Sequence, residues 1–370
     1  MIANPFLGVT YHSIGAFSAA SCYTPQKKTR LWAWEVYWIA QATFAWCILP
    51  VIGAILTIPN YFSVLAQCPR DAMLRSFLLG MLYGTGGFTF GLGIRYIGFS
   101  LNYSLAIGIS AALGTILPLV WDPNLGFVGK ISTLVDSTPG LIIFAGILLS
   151  FVGILFCGWA GTLRERTGGS NTIYNLKLGV AFACLAGILS AVYNFALIAG
   201  EPLATAAVHA GASNLLKYNA VYPFSSGGAW VTNVIWCVIL LAKNKTAGQL
   251  VRLPDKGPAG LPLHYLMALL TGAMWYFQFF FYGMGHTNMG EKYGFTSWAV
   301  HMALLILFSN LIGKLFKEWH GASTLPRKIV HVGMALIIIA TSIIAYGNYR
   351  GQSEKTTPPQ ADTTTTSVQK

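Results

Sequence analysis

Charge is what this chain has least of. Asp and Glu together number 11 in 370 residues, and charged residues of both signs make up 9% of the chain. Soluble domains carry roughly 25%. No carboxylate lies near the centre of any long apolar run, so paired acids for general acid–base work are missing from the interior. HExxH and GxSxG are absent, and the six cysteines contain no CxxC pair. Hydrolytic metal chemistry, a serine nucleophile, a zinc site and a disulfide framework therefore have no footing here. Neither an enzyme nor a metal or other cofactor is expected. Cys22, Cys47, Cys157, Cys184 and Cys237 fall inside apolar runs and read as small buried hydrophobes, with Cys68 alone in a loop. A basic leader region is missing too, so the first apolar segment reads as a retained helix.

What the chain has instead is apolar surface. Hydrophobic residues reach 55% and the mean hydropathy is +0.59. No single globular core needs that much, so lipid must be the solvent for most of it. Ten apolar runs are about 20 residues or slightly longer, enough helix to cross a hydrocarbon core of about 30 Å. They lie near 4–24, 35–58, 74–95, 98–121, 139–160, 177–200, 219–242, 262–284, 294–315 and 327–347. Uninterrupted runs exclude the alternating pattern of a transmembrane barrel. The expected class is an all-α polytopic membrane protein with ten transmembrane helices.

The net charge of +12 would suggest nucleic acid if it were clustered on a soluble face. Its distribution says otherwise. The connections after the odd-numbered runs hold 15 of the 23 Lys and Arg residues, among them Lys27, Lys28, Arg30, Arg164, Lys243, Lys245, Arg327 and Lys328. The positive-inside rule then puts those connections in the cytoplasm and both termini outside. No nucleic-acid partner is expected. Residues 351–370 form a polar Thr/Pro tail with nothing to bury, and read as disordered.

Two motifs repeat at the same interval of runs. FGLGIRYIG at 90–98 and YGMGHTNMG at 282–290 share aromatic-Gly-x-Gly-x4-Gly, while GAFSA at 15–19 matches GILSA at 187–191. Both pair run n with run n+5. Five spans is an odd number, so the second unit must cross the opposite way up. The expectation is a 5+5 inverted repeat, residues 1–160 against 161–350, which is secondary-transporter architecture with cargo held between the halves. The third run carries glycines at Gly80/Gly84 and Gly87/Gly91, spacings that let another backbone approach closely.

The eighth run holds WYFQFFFY, residues 275–282, followed by GMGH. At helical spacing Thr271, Trp275, Gln278 and Tyr282 share one face. Two flat amphipathic rings flanking an amide suit a sugar, whose C–H groups lie on aromatic faces while amides take its hydroxyls. A glutamine facing lipid would leave its polar atoms unpaired at a cost of several kcal/mol; Gln278 should point inward. His12 and His301 are ionisable residues well inside runs, and His286 lies just beyond the eighth. With a reference pKa of about 6.5, imidazoles can exchange protons near physiological pH, and intramembrane ionisable groups are functional candidates by default. Trp275, Gln278, Tyr282, His12 and Asn194 are the expected substrate-binding residues. His12, His301 and His286 are the expected proton carriers. Gly15, Ala16 and Ala19, on the His12 face, would leave room for a ligand or for the sixth run.

GAFSAASCYTPQKK leading into WAWEVYW, GLGIRYIG, AMWYFQFFFYGMGH, SWAVHM and KEW together resemble the L-rhamnose–proton symporter family, within the drug/metabolite transporter superfamily of ten-helix, 5+5 proteins. The resemblance runs from about residue 4 to 347. It implies proton-driven import of a 6-deoxyhexose across a bacterial inner membrane, with sugar and protons as the small-molecule partners. The alternative on the same architecture is an exporter of amino acids or other metabolites.

Overall fold

The computed structural model describes residues 3–167, 175–254, 257–317 and 319–356. It is helical almost throughout. The long helices are α1 (Pro5–Ser21), α2 (Trp34–Thr57), α3 (Arg70–Ile97), α4 (Phe99–Ile116), α5 (Thr138–Thr167), α6 (Leu176–Ala199), α7 (Tyr222–Asn244), α8 (Leu261–Met289), α9 (Thr296–Leu315) and α10 (Thr324–Thr356). Eight helical segments among the described residues are long and apolar enough to cross a membrane. The two long helices outside that group are α1, with 17 residues, and α8, whose apolar stretch is interrupted by Thr271, Trp275, Tyr276 and Gln278. A two-residue antiparallel hairpin, Trp121–Asp122 with Gly126–Phe127, closes the α4–α5 connection.

Local chemistry explains where helices start and stop. Asn4 caps α1 by accepting from the Leu7 amide at 3.2 Å, and Asn175 caps α6 by accepting from the Leu178 amide at 3.2 Å. Gly98 ends α3 at φ 81°, ψ 165°, and Gly290 ends α8 at φ 80°, ψ 158°. A side chain would strain either position. These are the final glycines of the two nine-residue motifs, so the shared pattern marks a shared backbone stop. α2 is interrupted by a π turn, Phe44–Ile48, with the Leu49 amide reaching back to the Phe44 carbonyl. Pro50 supplies the cause: it lacks an amide proton and its ring crowds the carbonyl one turn back, so the ladder widens there.

The helices pack in a regular scheme. α1 lies on α8 and α9, α6 lies on α3 and α4, α3 also packs on α7, α2 on α7 and α8, α4 on α9, and α5 on α10. Every residue of α9 from Thr296 to Leu307 is buried, which makes α9 the central helix. Large apolar side chains face outward elsewhere, including Leu56 at 78% and Leu155 at 61% exposure, as lipid contact requires.

Three expectations change. Gly80 and Gly84 do seat α7: a Cβ on Gly80 would lie 2.0 Å from the Ser225 carbonyl oxygen, and one on Gly84 2.8 Å from that of Ala229. Gly87 and Gly91 meet nothing within 4 Å and instead floor a groove of ≈ 450 Å³ with Trp34, Trp38 and Trp236. Gly15, Ala16 and Ala19 are buried against α8 and α9, not α6; a Cβ on Gly15 would lie 2.7 Å from the Gln278 carbonyl oxygen. α10 stays helical to Thr356, beyond the expected start of the tail at 351, because Gly351 fits against the Tyr293 ring and Gln352 donates to the Met289 carbonyl at 3.2 Å. The rest of the tail, 357–370, lies outside the described residues.

Candidate functional site

Five of the predicted residues come from four helices to one place. His12 of α1 and His301 of α9 are fully buried, with ring centroids 5.7 Å apart. Tyr282 of α8 lies against both, 5.2 Å from His12 and 5.3 Å from His301. His286, one turn further along α8, stacks on Tyr282 at 6.0 Å. It belongs to the helix, which runs to Met289, and not to a loop beyond it. Asn194 of α6 completes the group by accepting a hydrogen bond from the Tyr282 hydroxyl at 3.1 Å.

The surroundings hold this arrangement still. The Asn194 amide donates to the Gly114 carbonyl at 2.7 Å, fixing the orientation in which its oxygen faces Tyr282. Trp298, 5.6 Å from Tyr282, is anchored by donating to the Ser110 carbonyl at 3.0 Å. A Cβ on Gly285 would fall 2.8 Å from the His12 ring, so the second glycine of GMGH exists to admit that imidazole. Against this rigid frame one feature is unsatisfied. Neither ring nitrogen of His12 or of His301 has a hydrogen-bond partner among the described residues. A neutral imidazole carries one donor and one acceptor, and a buried polar atom left unpaired costs about 1–3 kcal/mol.

Beyond Tyr282 and His286 opens a cavity of ≈ 770 Å³. Asn194, Tyr282 and His286 form part of its wall, together with Glu201, Lys217 and Tyr218. Glu201 accepts from Lys217 Nζ at 2.6 Å and from the Tyr218 hydroxyl at 2.6 Å, and the Tyr218 ring lies 5.3 Å from His286. The sequence alone does not reveal this network, since the partners lie 16 and 17 residues along the chain from Glu201. His12 and His301 do not line the cavity; the Tyr282 ring packs between.

Trp275 goes elsewhere. Its ring sits 5.7 Å from Tyr23 and 5.9 Å from Trp46, in an aromatic box that Trp38 closes by stacking on Tyr23 at 6.1 Å. Gln278 lies between this box and the histidines, one turn from Trp275 and one from Tyr282; it is buried and its amide oxygen is unpartnered. Thr271 is occupied structurally. It donates to the Cys22 carbonyl at 2.7 Å and bonds the Tyr37 hydroxyl at 2.5 Å, tying α1, α2 and α8 together. Trp38 and Trp46 were not singled out from sequence. Their signal was the tryptophan spacing of WAWEVYW followed by a proline inside an apolar run.

Similarity to known proteins extends over most of the chain. Residues 1–349 match the family model described as L-rhamnose-proton symport protein. A protein of Pectobacterium atrosepticum named L-rhamnose-proton symporter is 34% identical over 348 residues, covering 94% of this chain and 99% of its own. Proteins of the same name from Shigella dysenteriae and Mannheimia succiniciproducens are each 34% identical, covering 92% of this chain and 97% of theirs. With the family model matching residues 1–349 and relatives 34% identical over more than nine-tenths of the chain, the chain belongs to the L-rhamnose-proton symport protein family.

Proposed function

We propose that this protein imports L-rhamnose or a related 6-deoxyhexose with a proton across a bacterial inner membrane. The observation that carries the reading is the His12–His301 pair: two buried, unpartnered imidazoles one tyrosine ring away from an open cavity. With the basic connections cytoplasmic and both termini outside, the ends of α6 and α8 that border the cavity face the periplasm. Protons and sugar then enter by the same door.

A proton reaching the pair from the cavity, by way of His286, is taken by a ring nitrogen of His12 or His301. Two charged rings 5.7 Å apart would repel by about 3 kcal/mol at an effective dielectric of 20. That repulsion disfavours charging both rings at once, so the pair holds one proton at a time. Tyr282, Gln278 and Trp275 on α8, with Asn194, provide the sugar's contacts, so that sugar and proton bear on the same helix. Inversion of the halves exposes both to the cytoplasm, where the proton leaves.

The architecture proposed for that inversion is ten spans as two five-helix units, 1–160 and 161–350, of the drug/metabolite transporter kind. The packing scheme supports it. Exchanging helix n for n+5 turns α1 on α8 into α6 on α3, α1 on α9 into α6 on α4, and α3 on α7 into α8 on α2, while α4–α9, α5–α10 and α2–α7 map onto themselves. The matched stops at Gly98 and Gly290 and the matched asparagine caps of α1 and α6 obey the same exchange.

The test is uptake of labelled L-rhamnose by cells lacking their own transporter, with external pH recorded. Sugar entry with alkalinisation of the medium is expected, and collapse of the proton gradient should abolish accumulation. Accumulation that survives collapse would overturn the reading, and accumulation of amino acids by everted vesicles would favour export.

A further inference from the structure

Four indole groups crowd the region where α2, α7 and α8 meet, and they divide into two kinds. Trp38 donates to Asn233 Oδ1 at 2.9 Å and Trp230 to Thr43 Oγ1 at 3.1 Å. Those two are committed to packing. Trp46 and Trp275 bury their ring N–H groups with no acceptor among the described residues. Buried indole N–H groups ordinarily find a partner. Two orphan donors on rings 5.9 Å apart point to an absent ligand that accepts hydrogen bonds.

We propose that Trp46 and Trp275 are the donors that hold the sugar, in a box walled by Tyr23 and Trp38 and overlooked by Gln278. The proposal rests on the sugar-uptake reading above and moves the cargo's main contacts from the Tyr282 end of α8 to its Trp275 end.

Three observations favour a neutral, hydroxyl-rich ring over other occupants. Tyr23 is 39% exposed although its ring lies 6.1 Å from Trp38 and 5.7 Å from Trp275, so part of its face is open to a ligand. Flat faces of this kind accept the C–H face of a pyranose and the methyl group of a 6-deoxy sugar. An aromatic box also suits an organic cation, but indole N–H groups present positive edges. The carboxylate on the same helix, Glu35, is turned away to Asn244 and Thr246. An acceptor-rich neutral ligand fits what remains.

The position of Trp46 adds a mechanism. It lies in the π turn Phe44–Ile48, and single π turns inside helices recur at functional sites because they re-aim one side chain. In an unbroken helix Trp46 would be rotated away from its present direction. Gln278 then stands one turn above the box and one turn below Tyr282, within reach of both sugar and the histidine pair. Trp38 also borders the ≈ 450 Å³ groove floored by Gly87 and Gly91, giving the box an outlet on the cytoplasmic half.

The experiment compares Trp46→Phe, Trp275→Phe and Trp230→Phe, each keeping an aromatic ring and losing only the donor. Wild-type protein is first titrated with L-rhamnose, L-fucose and D-mannose, followed by intrinsic fluorescence. KM for the responding sugar is expected to rise about tenfold in Trp46→Phe and Trp275→Phe, which is ~1.4 kcal/mol of binding each. The proton-to-sugar ratio should stay unchanged, and Trp230→Phe should keep the wild-type KM. Should a Trp variant fail to purify as a single species, Gln278→Leu carries the test, with the same rise expected. Wild-type KM in the donor variants, with wild-type uptake intact, overturns the box and leaves symport standing. No response of wild-type protein to any of the three sugars overturns both readings.

Discussion

His12 and His301 are placed so that losing either should separate transport from its driving force. His12→Gln or His301→Gln keeps a polar side chain of similar reach and removes the titratable nitrogen. Proton-driven accumulation of sugar is expected to fall more than tenfold. Exchange of labelled for unlabelled sugar across vesicles, which needs no net proton movement, should persist. Loss of both activities together would assign the histidines to the fold. Tyr282→Phe asks a narrower question, because only the hydroxyl held by Asn194 is removed. A neutral hydrogen bond contributes about 1 kcal/mol, so a several-fold fall in uptake is expected with the ring still in place between cavity and pair. Gln278 was legible as an inward-facing amide because lipid cannot satisfy it. The company it keeps was not, since Trp46 and Trp38 lie more than two hundred residues away in the chain.

At the scale of elements, α3 offers an internal comparison. Gly80→Ala puts a methyl group against the Ser225 carbonyl, and overpacking of this kind costs about 1–3 kcal/mol. Thermal unfolding of the purified protein should shift to lower temperature. Gly87→Ala adds a methyl group to open space and gains about 1 kcal/mol of helix propensity; its unfolding temperature should hold or rise. Equal destabilisation by the two changes would contradict the packing of α3 on α7. Periodicity and glycine spacing could not tell these pairs apart, because both present the same pattern and only the neighbouring helix distinguishes them. Helix ends are a local matter by comparison: Gly98, Gly290, Asn4 and Asn175 act on their own backbone within a turn.

For the whole molecule, orientation and energy source are testable together. A protease site added after residue 370 should be cut in spheroplasts without lysis, as an outside C-terminus requires. Cleavage only in everted vesicles would reverse the orientation and turn the ≈ 770 Å³ cavity toward the cytoplasm. Raising external pH from about 6 to about 8 should lower uptake several-fold, because a proton-driven importer depends on the proton supply outside. Fewer protons then reach the pair from outside, and the gradient that drives them is smaller.

The all-helical membrane class and the approximate positions of the long helices followed from the sequence by itself, because hydropathy over about 20 residues is a local physical demand. The spacing of WYFQFFFY also placed Trp275, Gln278 and Tyr282 on one face, since a helix sets that geometry alone. Only the tertiary structure decided what each of them meets. It divided that face between a histidine pair brought by α1 and α9 and an aromatic box brought by α1 and α2. Which helix lies beside which depends on the summed fit of side chains across the bundle, and no segment of the chain carries that sum.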